Sequence, residues 1–223
     1  MARFAIEGST IVFDDGGMNL LSSDALRELR AIVDAWSAPM LIFRSGRASL
    51  FAAGADMAEM SRFTPRDAEA FAFLGQQTFE AIERLPCPTT AIVDGDCFGG
   101  ALDLTLAFDL RFATPRSRFS HPGSRIGIVT GFGGTSRWRK LITRGAARRL
   151  FLGNPILTAD DALQIGLVDR VGESFDDELQ RIAALDPMTA RLVKELARHS
   201  ESLSREQLQL LAERLARLYD VSS

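Results

Sequence analysis

Apolar residues along the chain fall into short runs and longer amphipathic stretches, which alternate over the first half. Four short runs of apolar and β-branched residues have the length typical of buried strands: residues 10–13, 40–43, 89–93 and 110–113. The stretches between them carry apolar residues at helical spacing, as Leu26, Leu29 and Val33 do. Strands that alternate with helices predict an α/β fold in which crossover helices join parallel strands.

Signals for the ends of these helices support the same order of elements. Residues 22–24 offer N-caps for a helix that runs through Trp36. A longer helix follows, because Thr64 is a capping residue, Pro65 suits the first helical position, and Pro86 requires the helix to end before it.

Two segments that contain glycine follow apolar runs. Residues 44–57 are predicted to form a loop. Gly99 and Gly100 precede a helical stretch over residues 101–108, so free backbone N–H groups and the positive end of a helix converge there. A helix N-terminus with free N–H groups can bind a phosphate or stabilise a developing oxyanion. The same glycines also fit a tight strand-to-helix turn that needs small residues, and the local sequence leaves both interpretations open.

From about residue 132 the pattern becomes mainly helical. Residues 158–161 resemble a capping box for a short helix that ends at Gly166, and residues 167–171 form a last short strand. Residues 204–207 form a capping box for a further helix, with Leu208, Leu211, Leu215 and Leu218 on its apolar face. We predict an α/β core over residues 1–172 and a C-terminal helical region over residues 173–223.

Composition and charge narrow the range of partners. A net charge of −3 argues against a nucleic-acid partner, which would need a basic surface. Cys87 and Cys97 lack metal-ligand spacing, and His121 and His199 are too few and too far apart for a zinc site, so no metal is expected. Two thiols in 223 residues favour a reducing compartment. No stretch is long and apolar enough to cross a membrane, and the N-terminus lacks a signal-peptide core, so we expect a cytoplasmic protein.

Several motifs in a fixed order resemble those of one enzyme family. Residues 51–60 (FAAGADMAEM), 91–100 (AIVDGDCFGG) and 109–113 (DLRFA) are similar to the signature of the crotonase superfamily, the enoyl-CoA hydratase/isomerase family. Further matches follow in order: Phe119, Pro122, Gly127, Gly133, Gly134, Thr135, Arg137, residues 157–162 and residues 166–168. The resemblance covers residues 10 to about 172.

The resemblance implies a crotonase-like spiral of βαβ units with a C-terminal helical appendage, assembled as a homotrimer or a dimer of trimers. It implies a coenzyme A thioester as the substrate, with no permanently bound cofactor. The backbone N–H groups of Ala55 and Gly100 would hold the thioester oxygen and stabilise an enolate. Ala53, Gly54, Ala55 and Asp56 would line the cleft for the adenine end of coenzyme A.

The acid/base positions depart from the family pattern. Asp103 stands where typical hydratases have a glutamate, three residues after Gly100 and on the same helical face. It is one methylene shorter than glutamate, so it would reach the substrate through water, or it simply complements a helix N-terminus. The position of the second hydratase glutamate is Gly123, and an aspartate used by dehalogenase-like members would fall at Gly131. Classical hydration by two carboxylates is therefore not expected.

His121 is a candidate for the missing acid/base group. It lies two residues before Gly123, which in an extended segment places both on the same side. An imidazole can donate or accept a proton near neutral pH. A structural histidine that bonds to a nearby carbonyl is the alternative, and Ser120, Ser124 and Thr130 are weaker polar candidates.

The sequence therefore predicts an acyl-CoA enzyme of enoyl-CoA hydratase/isomerase type with an atypical acid/base set. Two alternatives remain open: a decarboxylase or hydrolase of the same fold, and a non-catalytic acyl-CoA-binding subunit. Relative to the family, the C-terminal lid is expected to be shortened, since the chain ends in residues 219–223. The basic residues between Arg137 and Arg149 are interpreted as a solvated helix face or a subunit contact.

Overall fold

Strands and helices alternate in the computed structural model, which describes residues 2–198 and the isolated positions 205, 206, 209 and 212. The strands are β1 (Phe4–Glu7), β2 (Thr10–Phe13), β3 (Leu20–Leu21), β4 (Leu41–Ser45), β5 (Leu50–Ala52), β6 (Gly54–Ala55), β7 (Thr89–Val93), β8 (Asp96–Phe98), β9 (Leu110–Ala113), β10 (Arg118–Ser120), β11 (Leu157–Thr158) and β12 (Arg170–Val171). The helices are α1 (Ser23–Asp34), α2 (Met57–Met60), α3 (Pro65–Arg84), α4 (Gly100–Thr105), α5 (Gly134–Leu141), α6 (Arg144–Gly153), α7 (Ala159–Gln164), α8 (Asp176–Ala183) and α9 (Pro187–Arg198), with a 3-10 helix at Pro122–Ile126.

The largest sheet has the strand order β1-β2-β4-β7-β9-β12. β1 and β2 pair as an antiparallel hairpin, while the other neighbours in this sheet are parallel. Parallel neighbours need crossover connections, and α1, α3 and α4 lie in the segments that join β2, β4, β7 and β9. The predicted alternation of strands and crossover helices is confirmed.

A second sheet, of order β11-β10-β8-β5, carries the segments that later form the site. Within it β5, β8 and β10 are parallel, and β11 is antiparallel to β10. A short third sheet pairs β3 with β6. The prediction of a loop over residues 44–57 is therefore wrong in part, because β5 and β6 lie inside that segment. Their pairing with β8 and β3 comes from distant parts of the chain, which local sequence does not reveal.

Helix boundaries follow the capping signals closely. The Thr64 hydroxyl accepts a hydrogen bond from the Asp67 N–H, and the Asp67 carboxylate accepts one from the Thr64 N–H, which completes a capping box. Thr158 and Asp161 form the same arrangement before α7. The helix predicted over residues 101–108 is shorter, at Gly100–Thr105, and the strand predicted over residues 167–171 is reduced to Arg170–Val171.

The core is formed by residues of the two larger sheets and of α1, α3 and α4, and phenylalanine rings form much of it. Phe43 contacts the rings of Phe4, Phe13, Phe51 and Phe108 at centroid distances of 5.6 to 6.3 Å. All five side chains are buried, and burying one such side chain contributes about 2–3 kcal/mol. This core fixes the sheets relative to one another and thereby the strand ends that form the site.

The described part of the C-terminal region packs back onto this core. Lys194 of α9 donates a hydrogen bond to the Cys87 carbonyl at 3.0 Å and forms an ion pair with Asp109 at 2.8 Å. Leu192 is buried on the same helix. The capping box at residues 204–207 and the four leucines after it lie outside the described residues, and the division at residue 172 stays a prediction. No helix among the described residues has the length and hydropathy needed to cross a lipid bilayer.

Candidate active site

Three loops meet at one edge of the second sheet because they follow parallel strands. Ala53 follows β5, Gly99 follows β8 and His121 follows β10. The carboxyl ends of parallel strands point the same way, so the residues after them converge at one edge. A hydrogen bond from the Gly99 N–H to the Ser120 carbonyl, at 2.9 Å, joins two of these ends.

A cavity of about 470 Å³ opens at this edge. Its wall is mostly apolar and includes Met57, Met60, Phe63, Phe71 and Phe132. Among the described residues that line it, the polar side chains are those of Asp103, His121 and Thr130. An apolar cavity with a few convergent polar groups is the usual form of a small-molecule site.

Ala55 and Gly100 come together on the floor of this cavity. A β-carbon on Gly54 would lie 2.6 Å from the Phe98 carbonyl oxygen and 3.1 Å from the Gly100 nitrogen, so β6 packs against the start of α4 backbone to backbone. A β-carbon on Gly100 would lie 3.4 Å from the Ala55 nitrogen. Glycine at both positions permits this approach, and Gly54 also has a φ of +105°.

Gly100 occupies the first position of α4, where a backbone N–H has no acceptor within its own helix. Two donors further along the helix have acceptors, since the Leu102 N–H and the Asp103 N–H bond to the Gly99 carbonyl at 3.0 and 3.3 Å. The positive end of α4 therefore faces the cavity wall formed by Gly99 and Gly100. Chemically, this wall can polarise a carbonyl oxygen.

Asp103 lies one helical turn further along α4 and has 0% of its surface exposed. Its Oδ2 accepts a hydrogen bond from the Thr130 hydroxyl and lies 3.3 Å from Nε2 of His121. Its Oδ1 has no hydrogen-bond partner among the described residues and lies against Gly134, the first residue of α5.

His121 is 4% exposed and packs its ring 5.2 Å from that of Phe151. With the proton on Nε2, it donates to Asp103. The structure thus brings Asp103, His121 and Thr130 together, although they lie on α4, after β10 and in the loop before α5. Ser120 and Ser124 do not line this cavity: Ser124 donates to the Phe151 carbonyl at 2.6 Å.

The backbone of Ile128 lies too close to Gly123 to leave room for a side chain. A β-carbon there would lie 2.8 Å from the Ile128 carbonyl oxygen and 3.5 Å from Nδ1 and Cε1 of His121. At Gly131 a β-carbon would lie 2.9 Å from Cβ of Ala72. The two positions at which the family resemblance implies a carboxylate are therefore tightly packed here, and His121 lies beside the first of them.

Two of the four residues predicted to line the coenzyme A cleft lie in the wall of this cavity, whereas Gly54 and Asp56 do not line it. Ala53 and Ala55 line it directly. Asp56 caps α2, where its carboxylate accepts the Glu59 N–H at 3.0 Å. This carboxylate therefore has a structural partner already.

Phe132 is a site residue that the sequence analysis did not single out. Its ring packs edge-on against Phe71 and Phe79. A β-carbon on Gly100 would lie only 2.8 Å from this ring. Arg137 fixes its backbone by donating to the Phe132 carbonyl at 2.9 Å. Arg137 is buried and paired with Glu83, so its interpretation as part of a solvated basic face is wrong. Packing between an aromatic ring and a glycine 32 residues away in the chain gives no local sequence signal.

Comparisons with known proteins agree with this geometry. The sequence model described as "Enoyl-CoA hydratase/isomerase" matches residues 16–217. The chain belongs to the enoyl-CoA hydratase/isomerase family. At the level of the family, the predicted enzyme type and the predicted resemblance are confirmed.

Two relatives share about a third of their residues with this chain over the matched region. A crotonyl-CoA hydratase from Syntrophomonas wolfei subsp. wolfei is 36% identical over 74% of this chain and 66% of its own length. A short-chain-enoyl-CoA hydratase from Clostridium acetobutylicum is 32% identical over 80% of this chain and 72% of its own length. The matched region thus spans about two thirds of these relatives.

The fold matches solved members of the family as well. An enoyl-CoA hydratase structure from Bacillus anthracis superposes with a TM-score of 0.87, at 24% identity, over 99% of this chain and 92% of that chain. The predicted crotonase-like α/β fold is confirmed.

Proposed function

We propose that this family member hydrates a short-chain enoyl-CoA through a thioester enolate, with Asp103 and His121 as its acid/base pair. The observation that carries the proposal is their contact: Nε2 of His121 lies 3.3 Å from Oδ2 of Asp103, beside the cavity wall that contains Ala55 and Gly100. Gly123 leaves the second carboxylate position empty, and His121 fills the neighbouring space.

In this proposal the N–H groups of Ala55 and Gly100 bind the thioester oxygen. Negative charge develops on that oxygen when water adds to the β-carbon, and each well-placed donor lowers the barrier by about 3 kcal/mol. The positive end of α4 acts in the same direction, since Gly100 is its first residue. The protein thereby stabilises the enolate without a permanently bound cofactor.

The acyl group is proposed to be short and apolar. The cavity of about 470 Å³ is walled mainly by methionine, phenylalanine and aliphatic side chains. Among the described lining residues no lysine or arginine is present to pair with a charged acyl group. The names of the two relatives, crotonyl-CoA hydratase and short-chain-enoyl-CoA hydratase, point to the same substrate class. Ala53, Gly54, Ala55 and Asp56 are proposed to border the coenzyme A portion.

A second candidate is a non-catalytic acyl-CoA-binding subunit, which the absence of a carboxylate at Gly123 favours. A decarboxylase or hydrolase would use the same oxyanion-binding amides with fewer proton-transfer groups. These alternatives share the cavity and differ in turnover. A panel of enoyl-, malonyl- and saturated acyl-CoA esters therefore separates them.

The deciding experiment measures crotonyl-CoA hydration by the wild type, Asp103→Ala and His121→Ala. Positioned acid/base groups typically contribute about 10²–10⁴-fold, so each variant should lose activity on that scale while still binding acyl-CoA. Ser124→Ala is the matched control, because its hydroxyl bonds to the Phe151 carbonyl and does not line the cavity. A wild-type protein that binds the panel without turning any ester over would establish the binding-subunit alternative instead.

We further propose a cytoplasmic homotrimer or dimer of trimers that acts in fatty acid metabolism. Large apolar side chains are exposed beside the site, with Val129 at 75% and Leu152 at 78%. Exposed apolar side chains of this kind are common at subunit interfaces. Light scattering coupled to gel filtration would give the mass of the assembly directly, and a monomer of 24.4 kDa would contradict the proposal.

A further inference from the structure

Asp103 borders the cavity, but its neighbours cover its side chain. It has 0% exposed surface, whereas Thr130 is half-buried and its side chain reaches the cavity. A group between Asp103 and the substrate would therefore have to carry the proton.

The Thr130 hydroxyl lies at that position with its proton directed toward Asp103. It accepts a hydrogen bond from the Phe132 N–H at 3.4 Å and donates to Oδ2 of Asp103. A hydroxyl has one proton and two acceptor lone pairs. Because the proton and one lone pair are already engaged, one lone pair remains for a water molecule in the cavity.

The other oxygen of Asp103 does not offer an alternative route. Oδ1 lies against Gly134 at the start of α5 and has no hydrogen-bond partner among the described residues. On the cavity side, Oδ2 is therefore the carboxylate oxygen that contacts other groups, namely Thr130 and His121.

We propose that the Thr130 hydroxyl relays a proton from the attacking water to Asp103, an inference that rests on the proposed function. As the water oxygen bonds to the β-carbon, the water gives a proton to Oγ1 of Thr130, and Thr130 gives its own proton to Oδ2 of Asp103. The π electrons move to the thioester oxygen and form the enolate. Nε2 of protonated His121 then donates its proton to the α-carbon, which leaves Nε2 free to accept a proton.

The cycle closes within the same cluster. Asp103 has gained one proton and His121 has lost one, and Nε2 of His121 lies 3.3 Å from Oδ2 of Asp103. Transfer of the proton across this contact restores the ionised carboxylate and the imidazolium. The net reaction is the addition of one water molecule, and no other reactant is needed.

Thr130→Val and Thr130→Ser test the relay. Valine keeps the size of threonine and removes the hydroxyl, so kcat for crotonyl-CoA hydration should fall about 10²-fold or more with KM nearly unchanged. Serine keeps the hydroxyl and should retain kcat to within about 10-fold. A kcat for Thr130→Val close to that of the wild type would overturn the relay, as would an equal loss in both variants.

A second measurement separates a relay from a structural role and from failure of the proposed function. Exchange of the α-proton of butyryl-CoA in D₂O needs the oxyanion-binding amides and His121 and does not need an attacking water. Thr130→Val should keep this exchange while it loses hydration; loss of both activities would mean that the site has simply been disturbed and would overturn the relay. Should Thr130→Val not fold, Thr130→Ala carries the same comparison. A wild-type protein with neither activity would refute the proposed function, and the relay with it.

Discussion

Gly134 meets Asp103 so closely that a β-carbon on Gly134 would overlap Oδ1 of the Asp103 carboxylate. The first residue of α5 thus holds the buried acid of α4 in place, and it can do so because it has no side chain. This contact joins two helices through residues that are 31 positions apart in the chain, and it determines which carboxylate oxygen faces Thr130 and His121.

Gly134→Ala should therefore impair both catalysis and stability. The new methyl group must displace the carboxylate, and overpacking of this kind costs about 1–3 kcal/mol in the free energy of unfolding. We expect crotonyl-CoA hydration to fall about 10-fold or more, because the proton-transfer geometry changes. Gly145→Ala in α6 is the control, since its β-carbon would meet nothing closer than 3.9 Å and should leave both quantities nearly unchanged. Kinetics and urea denaturation of both variants would test this expectation, and unchanged activity in Gly134→Ala would contradict it.

Gly100→Pro tests the oxyanion-binding amide. Proline is tolerated at the first position of a helix and removes the N–H, so the protein should fold and lose turnover by about 10²–10³-fold. Gly100→Ala keeps the N–H, and its β-carbon would lie 2.8 Å from the Phe132 ring, so it reports the effect of crowding without loss of the donor. Turnover and acyl-CoA affinity should be measured for both. Equal activity in the two variants would show that another group polarises the carbonyl.

The double variant His121→Ala with Gly123→Glu tests whether His121 replaces the second carboxylate. A β-carbon on Gly123 would lie 3.5 Å from the His121 ring, so a glutamate can enter the space that the imidazole leaves. We expect about a 10-fold gain in crotonyl-CoA hydration over His121→Ala alone. Gly123→Gln in the same background crowds the Ile128 carbonyl as the glutamate does but supplies no acid. It should therefore give no gain in crotonyl-CoA hydration. A folded Glu variant no faster than the Gln variant would argue against this replacement.

The two cysteines should be inert toward alkylation in the native protein. Burial raises the pKa of the Cys97 thiol well above its usual range, and the nearby carboxylates of Asp103 and Asp96 add to the effect. Burial also raises the pKa of Cys87. A raised pKa leaves little of the reactive thiolate at neutral pH. Mass spectrometry after iodoacetamide treatment should find both thiols unlabelled at pH 7.5 and labelled in urea. Rapid native labelling of Cys97 would mean that the wall of the site opens.

The sequence by itself determined the alternation of the main strands and helices and several of their boundaries. The capping boxes at Thr64 and Thr158 and the apolar runs at residues 10–13 and 89–93 are local signals, and the structure reproduces them. The ordered motifs also identified the family, because several matches in a fixed order are specific. These features depend on residues that are close together in the chain, so they can be recognised in the sequence itself.

Tertiary structure alone decided how the chemical groups meet. β5 and β6 form because β8 and β3, from other parts of the chain, pair with them. The local sequence of residues 44–57 predicted a loop and did not indicate either strand. The contacts of Asp103 with Thr130, His121 and Gly134 span 18 to 31 residues of sequence. Such contacts arise from the packing of α4, α5 and the ends of parallel strands. Spacing along the chain does not encode the distances between groups on separate elements, because those distances depend on how the elements pack.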